Sequence, residues 1–93
     1  MIGLTRNAAM NYGAAGIRVN AVCPGIIAND VWLDSFKLNP DLEASITARI
    51  PLDRLGTNDD VADAVIWLCS DSSTYITGTA LVIDGGMTGN VMP

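Results

Sequence analysis

The chain has 93 residues, of which 49% are hydrophobic and 16% charged, and its formal net charge is −5. The acidic balance argues against binding to nucleic acid or to an anionic membrane surface, and no apolar run approaches the roughly 20 residues of a membrane helix. The sequence contains no histidine, which excludes Ser-His-Asp and Cys-His catalysis and any imidazole metal site. Because soluble domains usually carry about 25% charged residues, we expect part of the apolar surface to be covered by something else.

Residues 1–15 are predicted to form a helix that ends before Gly16, where glycine can adopt a left-handed C-terminal cap. Apolar residues recur at three- and four-residue steps and make one narrow stripe: Met1, Leu4, Ala8, Tyr12 and Ala15. No capping residue or acidic first turn precedes this pattern, so the helix looks cut into at Met1 rather than begun there.

Residues 17–23 are predicted to form a strand that is mostly buried on both faces, because they are small or β-branched apart from Arg18 and Asn20. The Pro-Gly pair that follows should end the strand, since proline donates no ladder hydrogen bond and glycine tolerates a turn. In an open α/β sheet, ligands bind beyond the carboxyl ends of the strands. If the chain forms such a sheet, residues 24–29 are the place for its chemistry.

Residues 29–49 are predicted to form two short helices, one over residues 31–38 and one over residues 41–49. The first carries Trp32 and Phe36. Two helices above the carboxyl end of a strand are typical of a lid on a pocket. The alternative is an ordinary helical excursion whose aromatic side chains fill the core, and the residues alone favour that alternative.

Residues 58–70 are predicted to form the next helix, with Thr57 as its N-cap and Asp59 and Asp60 in its first turn, where the helix dipole favours negative charge. Residues 79–83 read as a second short strand, which an Asp-Gly-Gly turn ends. Strand, helix and strand in this order imply two parallel strands joined by a crossover. Two strands enclose little core, so the sequence predicts one partial α/β domain over residues 1–93.

The sequence contains two cysteines. Cys23 and Cys69 have neither metal-binding nor redox spacing. We predict that both are buried, free thiols of a reducing compartment, which indicates a cytoplasmic protein. The sequence predicts no metal site.

Several short motifs occur in one ordered set: Gly3–Arg6, Gly16–Val22, Cys23–Gly25, Pro51–Gly56, Asp60–Ala62 and Gly78–Gly86. Together they resemble the C-terminal part of a short-chain dehydrogenase/reductase. The resemblance implies a doubly wound, parallel Rossmann sheet, to which this chain supplies the last two strands and their helices. It also implies NAD or NADP as cofactor and hydride transfer between nicotinamide and an alcohol or carbonyl substrate.

The resemblance assigns cofactor contacts to the loop after the first strand. Pro24 and Gly25 match the loop that lines the nicotinamide end of the cofactor. In the family, a backbone N–H and C=O after the glycine bind the carboxamide, and here they belong to Ile26 and Ile27. The family usually has threonine where this chain has Asn29, which can still donate or accept a hydrogen bond to the cofactor.

The resemblance also assigns a lid and an interface. Residues 31–36 correspond to the family's substrate-binding lid, so Trp32 and Phe36 are candidates for substrate contact. The Val61–Cys69 helix and the Leu81–Ile83 strand correspond to a common subunit interface, so the resemblance implies a homo-oligomer.

The proton-transfer residues of the family are missing from this sequence. No glycine-rich phosphate loop is present. The Tyr-x-x-x-Lys motif is also missing, because Gly16 and Thr79 stand four residues after Tyr12 and Tyr75. The resemblance places the family's catalytic lysine just upstream of Met1, so no catalytic residue is assigned here. We expect the chain to be part of an oxidoreductase and inactive alone. The alternative is a non-enzymatic oligomerisation or interaction module derived from that fold.

Overall fold

A computed structural model gives the fold of the chain and describes residues 2–90. The helices are α1 (Ile2–Tyr12), α2 (Asp30–Leu38), α3 (Pro40–Thr47) and α4 (Asn58–Leu68), and the strands are β1 (Ala21–Pro24) and β2 (Ala80–Ile83). Short 3₁₀ helices lie at Gly13–Ala15, Asp71–Ser73 and Met87–Asn90. The predicted α/β order is therefore confirmed over the described residues.

The two strands form a parallel pair, as predicted. Their register runs from Ala21 opposite Ala80 to Pro24 opposite Ile83, so the carboxyl ends of both strands meet at one edge. Helices α2, α3 and α4 lie between the strands in the chain, and α4 packs on both strands. The loop of residues 24–29, where the sequence predicts ligand binding, starts at this edge.

Strand β1 begins four residues later than predicted, because side chains replace part of the ladder there. The Asn20 amide accepts a hydrogen bond from the Thr79 N–H and donates one to the Ile76 carbonyl, both at 3.1 Å. The Val19 N–H donates to the Thr77 hydroxyl at 3.0 Å. The two segments of the chain run side by side in this region without a regular backbone ladder.

Helix α1 ends at Tyr12, three residues earlier than predicted, and the 3₁₀ turn completes the predicted length. Gly16 follows it in the left-handed conformation, with φ of 81°, which confirms the predicted cap. The predicted first residue, Met1, lies outside the described residues.

The buried face of α1 differs from the predicted apolar stripe. Leu4 and Tyr12 are exposed, whereas Thr5 and Ala9 are buried. Ala9 faces the turn before β2, where a Cβ on Gly78 would lie 3.4 Å from the Ala9 Cβ. The close approach selects small side chains, and for this reason the larger apolar residues do not define the contact.

Helices α2 and α3 pack against each other and enclose a small apolar cluster. Phe36, Ile46 and Ile50 form its buried centre, and each is less than a tenth exposed. The radius of gyration is 16.1 Å, against about 12 Å for a compact domain of this length. The α2–α3 pair thus carries its own core and extends the chain beyond the sheet.

Helix α4 begins at the predicted N-cap, Thr57, which forms a complete capping box with Asp60. The Thr57 hydroxyl accepts a hydrogen bond from the Asp60 N–H at 3.1 Å, and the Asp60 carboxylate accepts one from the Thr57 N–H at 2.8 Å. These bonds satisfy two backbone donors that a helix start would otherwise leave unpaired.

Thr57→Ala is expected to lower the free energy of unfolding by about 1 kcal/mol, because it removes the hydroxyl that accepts from the Asp60 N–H. Chemical denaturation of the two proteins measures the change. Thr57→Ser keeps the hydroxyl and should restore most of the loss. Equal stability of the alanine variant and the parent would contradict this role.

The two cysteines are free thiols, but the prediction that both are buried is wrong. Cys23 is half-buried in β1, whereas Cys69 is exposed. Cys69 is the C-terminal cap residue of α4, so it sits where the helix leaves the sheet. Among residues 2–90, no group of cysteine and acidic side chains is arranged to hold a metal ion.

Candidate cofactor and substrate site

The loop after β1 starts at a point where the two strand ends touch. The Gly25 N–H donates to the Ile83 carbonyl at 2.8 Å. A Cβ on Gly25 would lie 2.6 Å from the Asp84 Cβ and 2.9 Å from its Cα. Only glycine fits this contact without a backbone shift, so the loop has a fixed starting position.

The next two residues of the loop are Ile26 and Ile27. The Ile26 carbonyl accepts from the Gly56 N–H at 3.0 Å, and the Ile27 carbonyl accepts from the Asn29 N–H at 2.8 Å. The N–H groups of Ile26 and Ile27 donate to no other group within residues 2–90. Each carbonyl oxygen keeps a second lone pair, so this backbone offers both donors and acceptors.

Asn29 links the loop to α2, which with α3 forms the predicted lid. Its side-chain oxygen accepts from the Trp32 N–H at 3.2 Å and caps α2. Its amide nitrogen, Nδ2, makes no hydrogen bond with another described residue. The side chain can therefore cap the helix and donate to a ligand at the same time.

The two lid aromatics have different surroundings. Phe36 is only 7% exposed and belongs to the apolar cluster between α2 and α3. Trp32 is half-buried and packs against that cluster, with its ring centroid 6.0 Å from that of Phe36. Phe36 is therefore enclosed by the cluster between α2 and α3, whereas part of the Trp32 side chain remains accessible.

A cleft of about 500 Å³ opens between the base of the lid, the start of α4 and the turn after β2. Its lining joins Ile26 to residues that the sequence did not assign to a site: Arg54, Asp60, Asp84, Gly85 and Gly86. The Asp-Gly-Gly run was read only as a turn, because nothing in its pattern shows which segment it contacts. The structure brings this turn directly beside the candidate loop.

Arg54 and Asp60 form a bidentate ion pair at the start of α4. The two Nη–Oδ distances are 2.8 and 3.3 Å. The hydrogen bonds from Arg54 and then from the Thr57 backbone hold the pKa of Asp60 well below its usual range. The Asp60 carboxylate in turn raises the pKa of Arg54.

Asp60→Asn is expected to destabilise the protein at neutral pH and to have a smaller effect in acid. Because the folded state depresses the pKa of Asp60, its contribution is present above the ordinary value of 3.8 and is lost as the pH falls further. Unfolding free energies of parent and variant between neutral pH and pH of about 3 measure the difference. A difference that stays constant across this range would contradict the assignment.

Residues 1–88 match the family model described as "Enoyl-(Acyl carrier protein) reductase". The structure also superposes on an oxidoreductase of the short-chain dehydrogenase/reductase family from Burkholderia thailandensis, with a TM-score of 0.87 and 38% identity, covering 95% of this chain and 35% of that one. The chain belongs to the short-chain dehydrogenase/reductase family. Its two parallel strands and their helices are the C-terminal part of that family's Rossmann-type fold.

Other members of the short-chain dehydrogenase/reductase family are similar at the same level. An A-factor type gamma-butyrolactone 1'-reductase from Streptomyces virginiae is 42% identical over 88 residues, which cover 95% of this chain and 34% of the relative. A structure of ElxO with NADP bound has a TM-score of 0.85 and 39% identity, over 95% of this chain and 36% of ElxO. The chain therefore spans about a third of the length of these relatives.

No helix within residues 2–90 is both long and apolar enough to span a membrane.

Proposed function

We propose that the chain forms the nicotinamide and lid side of an NAD(P)-dependent oxidoreductase, which transfers hydride between the cofactor and an alcohol or carbonyl substrate. The observation that carries the proposal is the loop of residues 24–29. It lies beyond the carboxyl ends of two parallel strands, where open α/β sheets bind ligands, and two of its backbone N–H groups have no partner among the described residues.

In this proposal the backbone of Ile26 and Ile27 binds the carboxamide of the nicotinamide, and Asn29 Nδ2 adds a donor. Pro24 and Gly25 set the position of this backbone, because Gly25 is fixed against Asp84. The bound cofactor supplies or accepts the hydride. The apolar side chains of the loop exclude water from the path of transfer.

Trp32 is proposed to cover the substrate, with Phe36 holding it in place from the lid core. The half-buried indole and the buried phenyl ring support this division of roles. A Trp32→Ala variant should therefore raise the KM for substrate more than the KM for cofactor.

Proton transfer and pyrophosphate binding require residues that this sequence does not contain. We therefore expect the purified 93-residue chain not to turn over NAD(P)H, and the protein expressed from its complete reading frame to oxidise NAD(P)H with a carbonyl substrate. Absorbance of the reduced nicotinamide measures both. Turnover by the 93-residue chain, or none by the complete protein with a panel of aldehydes and ketones, would contradict the proposal.

An oligomer is proposed through the Val61–Cys69 helix and the Leu81–Ile83 strand. Ile66 is 66% exposed, and Trp67 and Val82 are also exposed, and apolar groups of this size on adjoining elements are typical of an interface. The same surface supports the alternative function, an oligomerisation module without catalysis. The free thiols support a reducing, cytoplasmic location.

Ile66→Asp tests the proposed interface. The charge should dissociate the oligomer, because an unpaired carboxylate in an apolar contact is costly. Sedimentation velocity of the complete protein measures the change, with the exposed Asp63→Asn on the same helix as control. An unchanged sedimentation coefficient, or a monomeric parent protein, would contradict the interface.

A further inference from the structure

The turn after β2 is held together by one carboxylate. Asp84 Oδ1 accepts from the Gly86 N–H at 2.8 Å, and Oδ2 accepts from the Thr88 N–H at 3.0 Å and from the Thr88 hydroxyl at 2.7 Å. The bonds from Thr88 and Gly86 hold the pKa of Asp84 below its ordinary value. The carboxylate is therefore ionised at neutral pH and accepts three hydrogen bonds.

The same turn presses against the base of the lid. A Cβ on Gly85, whose φ is 64°, would lie 2.8 Å from the Ile50 Cγ2 atom, and Ile50 is in the lid core. The Leu52 N–H donates to the Gly85 carbonyl at 3.1 Å. Met87 packs against the same apolar cluster. The turn that Asp84 stabilises therefore packs against the apolar cluster of the lid.

On its other side, Asp84 touches the start of the nicotinamide-side loop. The Cβ and Cα atoms of Asp84 lie 2.6 and 2.9 Å from the place of a Cβ on Gly25. The Gly25 N–H is bonded to the residue before it, Ile83. Asp84 therefore contacts the loop of residues 24–29 through its Cα and Cβ atoms. It contacts the base of the lid through the turn that its carboxylate stabilises.

We infer that Asp84 is a positioning residue, which ties the loop of residues 24–29 to the base of the lid, so that the nicotinamide contacts and the substrate cover keep one relative position. The inference rests on the proposed function. Asp84 lines the cleft, but its carboxylate makes its hydrogen bonds within the turn, so no contact with cofactor or substrate is assigned to it. It acts through Gly25 on one side and through Gly85 and Met87 on the other.

Asp84→Asn is the sharpest variant. It keeps the shape of the side chain, but only one oxygen remains, and the new amide group would point its own donors at backbone or hydroxyl donors. The turn should loosen without creating a cavity. Thr88→Val removes only the hydroxyl donor and should have a smaller effect in the same direction.

The test compares the whole cofactor with the same molecule lacking its nicotinamide, in the protein from the complete reading frame. Dissociation constants are measured for NADPH and 2′-phospho-ADP-ribose, or for NADH and ADP-ribose, whichever pair the parent binds. In Asp84→Asn we expect about tenfold weaker binding of the whole dinucleotide and unchanged binding of the ligand that lacks nicotinamide. Asp71→Asn, at the opposite edge of the sheet, should change neither. Equal weakening of both ligands, or of neither, would overturn the inference.

Amide hydrogen exchange of the same proteins without ligand separates this inference from the proposed function. Asp84→Asn should speed exchange of the Leu52 and Gly86 amides and leave the middle of α4 unchanged. Faster exchange in Asp84→Asn, together with a parent protein that binds no dinucleotide, would refute the proposed function but support the positioning role of Asp84. Unchanged exchange at Leu52 would overturn the tie itself, whatever the parent binds.

Discussion

Gly25→Ala is expected to abolish dinucleotide binding and to lower the free energy of unfolding by about 2 kcal/mol. The new methyl group would lie 2.6 Å from the Asp84 Cβ and 2.9 Å from its Cα. Because one of these atoms is backbone, the loop or the turn after β2 must move, and overpacking of this kind costs about 1–3 kcal/mol. Chemical denaturation and cofactor titration of the complete protein measure the two effects.

Gly3→Ala is the matched control for that substitution. A Cβ on Gly3 meets no atom within 4 Å, and Gly3 lies in α1, where alanine is favoured over glycine by up to about 1 kcal/mol. The control should therefore keep or raise stability and bind cofactor like the parent. A Gly25→Ala protein that binds cofactor normally would show that the strand ends do not fix the loop.

Arg18→Ala is expected to lower the free energy of unfolding by about 3 kcal/mol. The Arg18 guanidinium donates to the Ile76 carbonyl at 3.1 Å, to the Ser70 carbonyl at 3.3 Å and to the Ser73 hydroxyl at 3.4 Å. Ser73 is only 2% exposed. Hydrogen bonds from a charged donor are worth about 1.5–3 kcal/mol each, and their loss leaves the buried Ser73 oxygen without a donor.

Arg18→Lys and Arg6→Ala test the geometry behind that expectation. Lysine keeps the charge but lacks the planar fork that reaches several acceptors, so it should recover only part of the loss. Arg6 is exposed on α1, and its removal should stay within about 0.5 kcal/mol of the parent. Thermal or chemical unfolding ranks the three variants, and full stability of Arg18→Lys would contradict the role of the fork.

The sequence was informative where local chemistry decides the structure. The Thr57 cap, the left-handed Gly16 and the end of β1 beside Gly25 depend on neighbouring residues, and each was predicted and is present. Tertiary contacts decided the rest. Asn20 replaces part of the ladder by bonding to a segment more than 50 residues away, and a strand pattern cannot show that.

The same distinction applies to the candidate site. The loop of residues 24–29 was predicted because strand ends have local signals and the motif set resembles a family. Trp32 and Phe36 were named together, but only packing separates a buried support from a half-exposed cover. Asp84 was read as a turn residue, since its contact with Gly25 arises only when the two strands pair in register.

The most direct test of the account is to map the nicotinamide onto the chain by NMR. In the complete protein, we expect the amide resonances of Ile26 and Ile27 and the side-chain amide of Asn29 to shift when NAD or NADP is added. ADP-ribose or 2′-phospho-ADP-ribose, which lack the nicotinamide, should leave them in place. No shift with the dinucleotide, or the same shift with both ligands, would show that this loop does not bind the nicotinamide.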